Sequence, residues 1–172
     1  MKKYLWLMMS IVMVTCTAKG SDEKYADKVA TLDSTIKTIY SVISGDKGEE
    51  RDWELFRYLF KPGARLIPSG KSQDGTVGMR VLTPEQYIET SGPFLVDNGF
   101  HEIEIGRKVD EYGTIAQVFS TYAAKRNKED AEPFMRGINS IQLLKDNNRW
   151  WVVSIFWMAE TEEFPLPADA ID

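Results

Sequence analysis

The chain has very little of the two residue types most used for metal and redox chemistry: one cysteine and one histidine. With Cys16 alone, no intramolecular disulfide, thiol pair or cysteine metal cluster can form. A zinc site around His101 would need further His or Cys ligands, and Glu102 and Glu104 project to the opposite face of a regular strand, so no metal site is expected. Long apolar runs are also scarce. The longest, Tyr4–Val14, has eleven residues and is too short to span a bilayer as a folded helix. Positive charge is in deficit, with 21 Lys and Arg against 26 Asp and Glu and a net charge of −5. Without a basic patch, nucleic acid is not expected as a partner, and the acidic balance reads as solubility. Several signature loops are missing as well. No G-x-S-x-G elbow or calcium-loop pattern occurs, and Gly70-Lys71-Ser72 fails as a phosphate loop because Arg65 stands where the first glycine should be.

What is present begins with a leader-like start. Met1-Lys2-Lys3 is basic, Tyr4–Val14 is apolar, and Thr15-Cys16-Thr17-Ala18 are small, which is the order of a secretory signal peptide. Residues 1–18 are expected to be removed on export to the periplasm or the medium. Alternatively, lipidation of Cys16 would anchor the protein to a membrane, although Thr15 stands where a lipobox has Gly, Ala or Ser. Losing residues 1–18 removes Lys2 and Lys3 and no acid, so the formal charge moves from −5 to −7.

The remainder reads as one domain. Tyr25, Val29, Leu32, Ile36, Ile39, Tyr40 and Ile43 fall at three- and four-residue steps, which predicts a long first helix over Ser21–Ile43, stopped by Gly45. A charged, exposed loop follows at Asp46–Arg51. Asp52 caps a short second helix that buries Trp53, Phe56, Leu59 and Phe60. Ala64–Pro68 and Val77–Leu82 are short strands about a polar turn. Thr83-Pro84-Glu85-Gln86 is a capping box with proline at the first helical position, and that third helix is expected to bend or break at Gly92-Pro93. Four long strands then follow: Phe100–Asp110, Thr114–Lys125, Phe134–Leu144 and Trp150–Ala159, the last two forming a hairpin about Lys145–Asn148. Two prolines in Glu163–Asp172 suggest a loosely held tail.

Helices gathered ahead of a sheet predict an α+β fold, a curved antiparallel sheet wrapped around three helices. Several strands are apolar on both parities. In the last, Trp151, Val153, Ile155 and Trp157 are expected on one face, with Trp150, Val152 and Phe156 on the other. Such a sheet needs cover on both sides, and a second copy of the chain is the simplest outer cover, so a homodimer is expected.

Over roughly residues 35–160 the chain resembles the nuclear transport factor 2-like superfamily, which includes ketosteroid isomerases and SnoaL-like proteins. The resemblance rests on the first helix ending at Gly45-Asp46, on Trp53-Glu54-Leu55-Phe56 with Pro62-Gly63-Ala64-Arg65-Leu66, and on Arg149-Trp150-Trp151-Val152-Val153-Ser154. It implies a cone: a bent sheet around three helices with an apolar pocket at the open end and pairing through the outer face. Residues 19–34 are then an extension carrying the start of the first helix, and residues 161–172 a tail. Ketosteroid isomerases use a carboxylate base after the first strand and a Tyr and a protonated Asp as donors, which the handling of carboxyl pKa by burial makes possible. By the resemblance, the base position falls near Pro68, which cannot abstract a proton. The donor Asp falls at Asn139, and Tyr40 lies near the Tyr position.

The candidate pocket residues are Tyr40, Tyr122, Asn139 and Trp157. Arg136, Ser120 and Gln142 are polar groups in apolar strands and serve either the pocket or a dimer interface. Alternation puts Asn139 with Gly137 and Ile141, and Arg136, Ser140 and Gln142 on the other face. His101 shares parity with Ile103 and Ile105 and is a candidate general base, the alternative being a carboxylate that the sequence does not locate. Three functions are consistent with this set: binding of a small apolar or amphipathic molecule without a cofactor, a cofactor-free isomerase, cyclase or hydrolase, or an interaction domain with a vestigial pocket.

Overall fold

A computed structural model describes residues 23–171. The leader-like segment and Cys16 lie outside the described residues. The first apolar stripe does not form one helix. Ala26–Lys28 is a separate 3-10 turn, and α1 is Leu32–Ile43. Thr31 makes the break: its hydroxyl accepts from the Ser34 N–H while the Ser34 hydroxyl accepts from the Thr31 N–H, a reciprocal cap that starts a new helix. Helix α2, Trp53–Leu59, is capped by Asp52. Helix α3, Pro84–Asn98, starts at the Thr83–Gln86 capping box. It does not break at Pro93. The carbonyl that proline leaves unpaired belongs to Glu89, which is exposed, so water can take the place of the lost bond.

Six strands form one open, mixed sheet in the order β2-β1-β6-β5-β4-β3. They are β1 Phe60–Lys71, β2 Val77–Met79, β3 His101–Tyr112, β4 Ile115–Lys125, β5 Met135–Asp146 and β6 Arg149–Ala159. The four long strands are consecutive antiparallel neighbours. The sheet is not wholly antiparallel, because β1 runs parallel to β6. Helix α3 and strands β2 to β5 lie between the two in the chain and make up the long connection that a parallel pair requires. The three helices fill the concave face, and Ile36, Phe56, Leu59, Val118, Ile141 and Val152 are buried between the layers.

The loop of residues 46–51 is not wholly exposed. Arg51 is buried and donates to the carbonyls of Ile43, Gly45 and Leu95, satisfying the ends of α1 and α3 with one guanidinium.

Two bulges govern which side chains face the helices. In β6, Gln142 pairs with Ser154 and Leu143 with Val152, leaving Val153 as an extra residue. Parity therefore switches there: Val152 and Ile155 are both buried, while Val153 and Phe156 are exposed on the outer face. The expected split of the last strand into two fixed parities does not hold for this reason. In β3, Ile105 is the extra residue between Glu104 and Gly106.

The C-terminal segment is tied down. It crosses the outer face from β1 to β3, with Lys71 Nζ 2.6 Å from Glu163 and Lys108 Nζ 2.6 Å from Asp169. Gly106 lets it approach: a Cβ there would lie 2.1 Å from the Ala170 carbonyl oxygen.

Candidate functional site

A cavity of about 190 Å³ opens between the helices and the concave sheet. Apolar side chains make most of its wall. Tyr87 of α3 stacks on Phe56 of α2 at 5.4 Å and meets the Trp157 ring edge-on at 6.3 Å. Tyr122 of β4 lies against Gly137 of β5, where a Cβ would come within 2.5 Å of the phenol oxygen. That close approach is possible only because residue 137 has no side chain.

Besides Ser91 and the phenols, an amide and a carboxyl interrupt this wall. Asn139 of β5 is buried and faces inward, as alternation with Gly137 and Ile141 requires. Glu102 of β3 faces the same space, and its residual exposure is to the cavity. Among the described residues it is the one carboxylate, histidine or lysine in the lining. Asn139 Nδ2 lies 3.4 Å from Glu102 Oε1 and 3.2 Å from the Tyr40 hydroxyl. Burial in this apolar wall pushes the Glu102 carboxyl up to about 8, against a smaller lowering by the Asn139 amide. Glu102 is then mainly protonated at neutral pH. Burial likewise drives the Tyr40, Tyr87 and Tyr122 phenols well above their usual range, with the nearby Glu102 charge adding to each, so all three stay neutral.

Behind Asn139 the polar chain continues outward. The Tyr40 hydroxyl lies 2.6 Å from Ser120 Oγ, which is fully buried and bonds Glu104. Glu104 is gripped by Arg107: Nε to Oε1 at 2.8 Å and Nη2 to Oε2. Residues three apart on a regular strand face opposite ways. The bulge at Ile105 brings Glu104 and Arg107 to one side.

The structure therefore gathers Asn139, Trp157 and Tyr122 in the cavity wall, with Tyr40 one hydrogen bond behind them. Ser120 joins from below through Tyr40. His101 is not in this group. The residues of β3 that face inward are the acids, Glu102 and Glu104, while Ile103 is 53% exposed on the other side. His101 Nε2 instead lies 2.8 Å from Asp46 Oδ1, outside the cavity. Arg136 forms an ion pair with Glu160 at 2.8 Å, and Gln142 faces Gln117 at 3.4 Å on the outer side, so neither reaches the cavity.

Glu102, the carboxylate of this wall, was not among the residues expected here. In Glu102-Ile103-Glu104-Ile105 the isoleucines are the natural choice for the inward face, and they carry His101 with them. The contrary signal was available in β4 and β5. Ser120 and Asn139 are inward polar residues that need partners, and they pair directly across the two strands.

No protein-family model matches the chain, and no curated protein matches it. Solved structures do resemble it. A nuclear transport factor 2-like protein of unknown function from Silicibacter pomeroyi has a TM-score of 0.53 at 16% identity, over 81% of this chain and 98% of that one. A candidate ketosteroid isomerase from Parabacteroides distasonis has a TM-score of 0.51 at 11% identity, over 76% and 89%. A candidate calcium/calmodulin-dependent protein kinase II association domain from Xanthomonas campestris has a TM-score of 0.53 at 13% identity, over 76% and 86%. The chain has the nuclear transport factor 2-like fold.

Proposed function

We propose that this protein of nuclear transport factor 2-like fold binds a small molecule with an apolar body and one oxygen acceptor, such as a carbonyl, in the cavity beside Glu102. The observation that carries the reading is a carboxyl set in an aromatic and aliphatic wall and held at neutral pH as the acid. A protonated carboxyl in such a place is a hydrogen-bond donor, and a mainly apolar cavity with few polar groups is the usual form of a small-molecule site. Trp157 and Tyr87 offer flat surfaces to the apolar part.

A second reading, cofactor-free acid–base catalysis, draws on the same carboxyl, whose titration near 8 suits proton transfer close to neutral pH. An isomerisation of the ketosteroid type also needs a base, and Pro68 stands near that position. With Glu102 the one carboxylate or histidine in the described lining, binding is the reading the geometry supports better.

The outer sheet face suits a homodimer, since Phe119, Val153 and Phe156 are exposed there beside the C-terminal segment. The likeness to an association domain from Xanthomonas campestris fits an oligomer. The leader-like start supports export, which N-terminal sequencing from the native host tests; a mature protein still beginning at Met1 contradicts it.

The binding reading is tested by mass spectrometry of small molecules extracted from purified wild-type protein and from Asn139→Leu. A bound compound that falls at least tenfold in the variant, about 1.4 kcal/mol, is expected. Absence of any bound compound, together with no thermal shift from a panel of apolar ketones and esters, would overturn it.

A further inference from the structure

The polar chain behind the cavity has a direction, and Glu104 sets it. Glu104 meets the two-pronged face of Arg107, whose guanidinium has donors only, and Arg107 also reaches Asp33 Oδ1 of α1 at 3.3 Å. A carboxylate so held can only accept. Ser120 Oγ, fully buried, therefore gives Glu104 its one proton. With that proton committed, Ser120 must accept from Tyr40, 2.6 Å away. The Tyr40 proton is then committed too, so the phenol oxygen must accept from the Asn139 amide at 3.2 Å. The reverse amide orientation would put Oδ1 of Asn139 against an oxygen with no proton left to give. One amide hydrogen of Asn139 goes to Tyr40 and the other points to Glu102 Oε1.

We propose that Glu104, which lies outside the cavity, is the positioning residue of the site: it fixes Asn139 as a donor to Glu102 Oε1 and leaves Oε2 as the oxygen that carries the proton toward a ligand. This rests on the reading that Glu102 faces the ligand. Among the described residues, Oε2 has no hydrogen-bond partner. In the neutral acid, the oxygen that accepts from Asn139 is the carbonyl oxygen, so the hydroxyl is the free one. The ligand must then present an acceptor, and a ligand whose polar end is solely a donor is disfavoured while Glu102 stays protonated.

The groups facing Glu102 are the phenols of Tyr40 from α1, Tyr87 from α3 and Tyr122 from β4, and the Asn139 amide from β5. Glu104 sits two residues along its own strand, compensated by Arg107. Two explanations of Glu104 therefore give opposite signs. If it acted on Glu102 merely as a nearby negative charge, neutralising it would lower the Glu102 midpoint. If it acts through the relay, cutting the chain frees Tyr40 to donate to Asn139, the amide turns, and Glu102 loses the donor that favours its ionised form. Its midpoint then rises.

The test is carbon-13 NMR titration of wild-type and Ser120→Ala proteins labelled at the glutamate carboxyl carbon, with the Glu102 signal assigned by its loss in Glu102→Gln. Ser120→Ala removes no charge, keeps the Glu104–Arg107 pair, and needs no cavity to be refilled beyond one oxygen. A rise of the midpoint equivalent to at least about threefold in the protonation constant is expected in Ser120→Ala, whereas a role of Glu104 as a nearby charge alone predicts no change there. Ser120→Thr, which restores a hydroxyl, should return it toward the wild-type value. A midpoint that stays in place or falls in Ser120→Ala would overturn the assignment. No ligand enters these titrations, so a cavity that binds nothing would sink the binding reading and leave the relay standing, and an unmoved midpoint would do the reverse.

Discussion

Replacing Glu102 with glutamine should stabilise the protein increasingly as pH rises from about 5 to about 8, and leave it nearly unchanged below that window. The native carboxyl titrates near 8 because burial penalises its charge, against 4.5 for the ordinary group. Between those values the folded protein holds a proton that the unfolded chain has released. Stability is therefore complete below the unfolded value and falls as pH rises, by about 1.4 kcal/mol per unit, until the folded group also ionises. Carried across the whole window, the loss is on the order of 5 kcal/mol, a large part of the about 5–15 kcal/mol typical of a domain. Glutamine does not titrate, has nearly the same shape, and can still accept from Asn139. Urea unfolding of wild type and Glu102→Gln from pH 5 to pH 9 gives the difference directly, since every other titrating group is common to both. The difference should be small at pH 5, widen up to about pH 8 and then level off. Two curves that stay parallel over the whole range would mean that Glu102 ionises as an exposed carboxylate does, and the reasoning would fail.

Other expectations follow from the packing. Arg51→Met removes the donors that satisfy the ends of α1 and α3 and should lower stability by about 2–4 kcal/mol in denaturant unfolding; a loss under 0.5 kcal/mol would mean that water replaces it freely. Gly137→Ala sets a Cβ against the Met158 backbone carbonyl of β6 and the Tyr122 phenol at once and should cost about 1–3 kcal/mol, which a crystal structure of the variant would show as a moved Tyr122 ring and a shifted β6 backbone. Phe156→Asp puts a charge on the exposed outer face and should convert a sedimenting dimer to monomer with little change in melting temperature; a wild-type monomer at micromolar concentration would contradict the dimer instead.

Much of this fold was legible because its signals are local. The Thr83–Gln86 capping box starts α3 where expected, and the four long strands fall within a few residues of their predicted limits. The inward place of Asn139 and its need for a partner were legible because a lone amide in an apolar strand must be hydrogen-bonded. What escaped was non-local or involved one extra residue. Bulges at Ile105 and Val153 reverse parity midway along β3 and β6, and nothing in a strictly alternating pattern announces them. The capping pair of Thr31 and Ser34 splits a stripe whose periodicity is otherwise continuous. Glu102 was hidden by a sound rule, that isoleucine faces the core, which yields here because two acids find Asn139, Ser120 and Arg107 waiting on neighbouring positions. The parallel pairing of β1 with β6 depends on where the chain returns after one helix and four strands, which no window of sequence contains.

The central claim is that a carboxyl is kept protonated in an apolar cavity at neutral pH. Carbon-13 titration of Glu102 in the wild-type protein, free of ligand, measures it without any intermediate assumption. The account predicts a midpoint of about 8. A midpoint at or below the ordinary carboxyl value of 4.5 would contradict it.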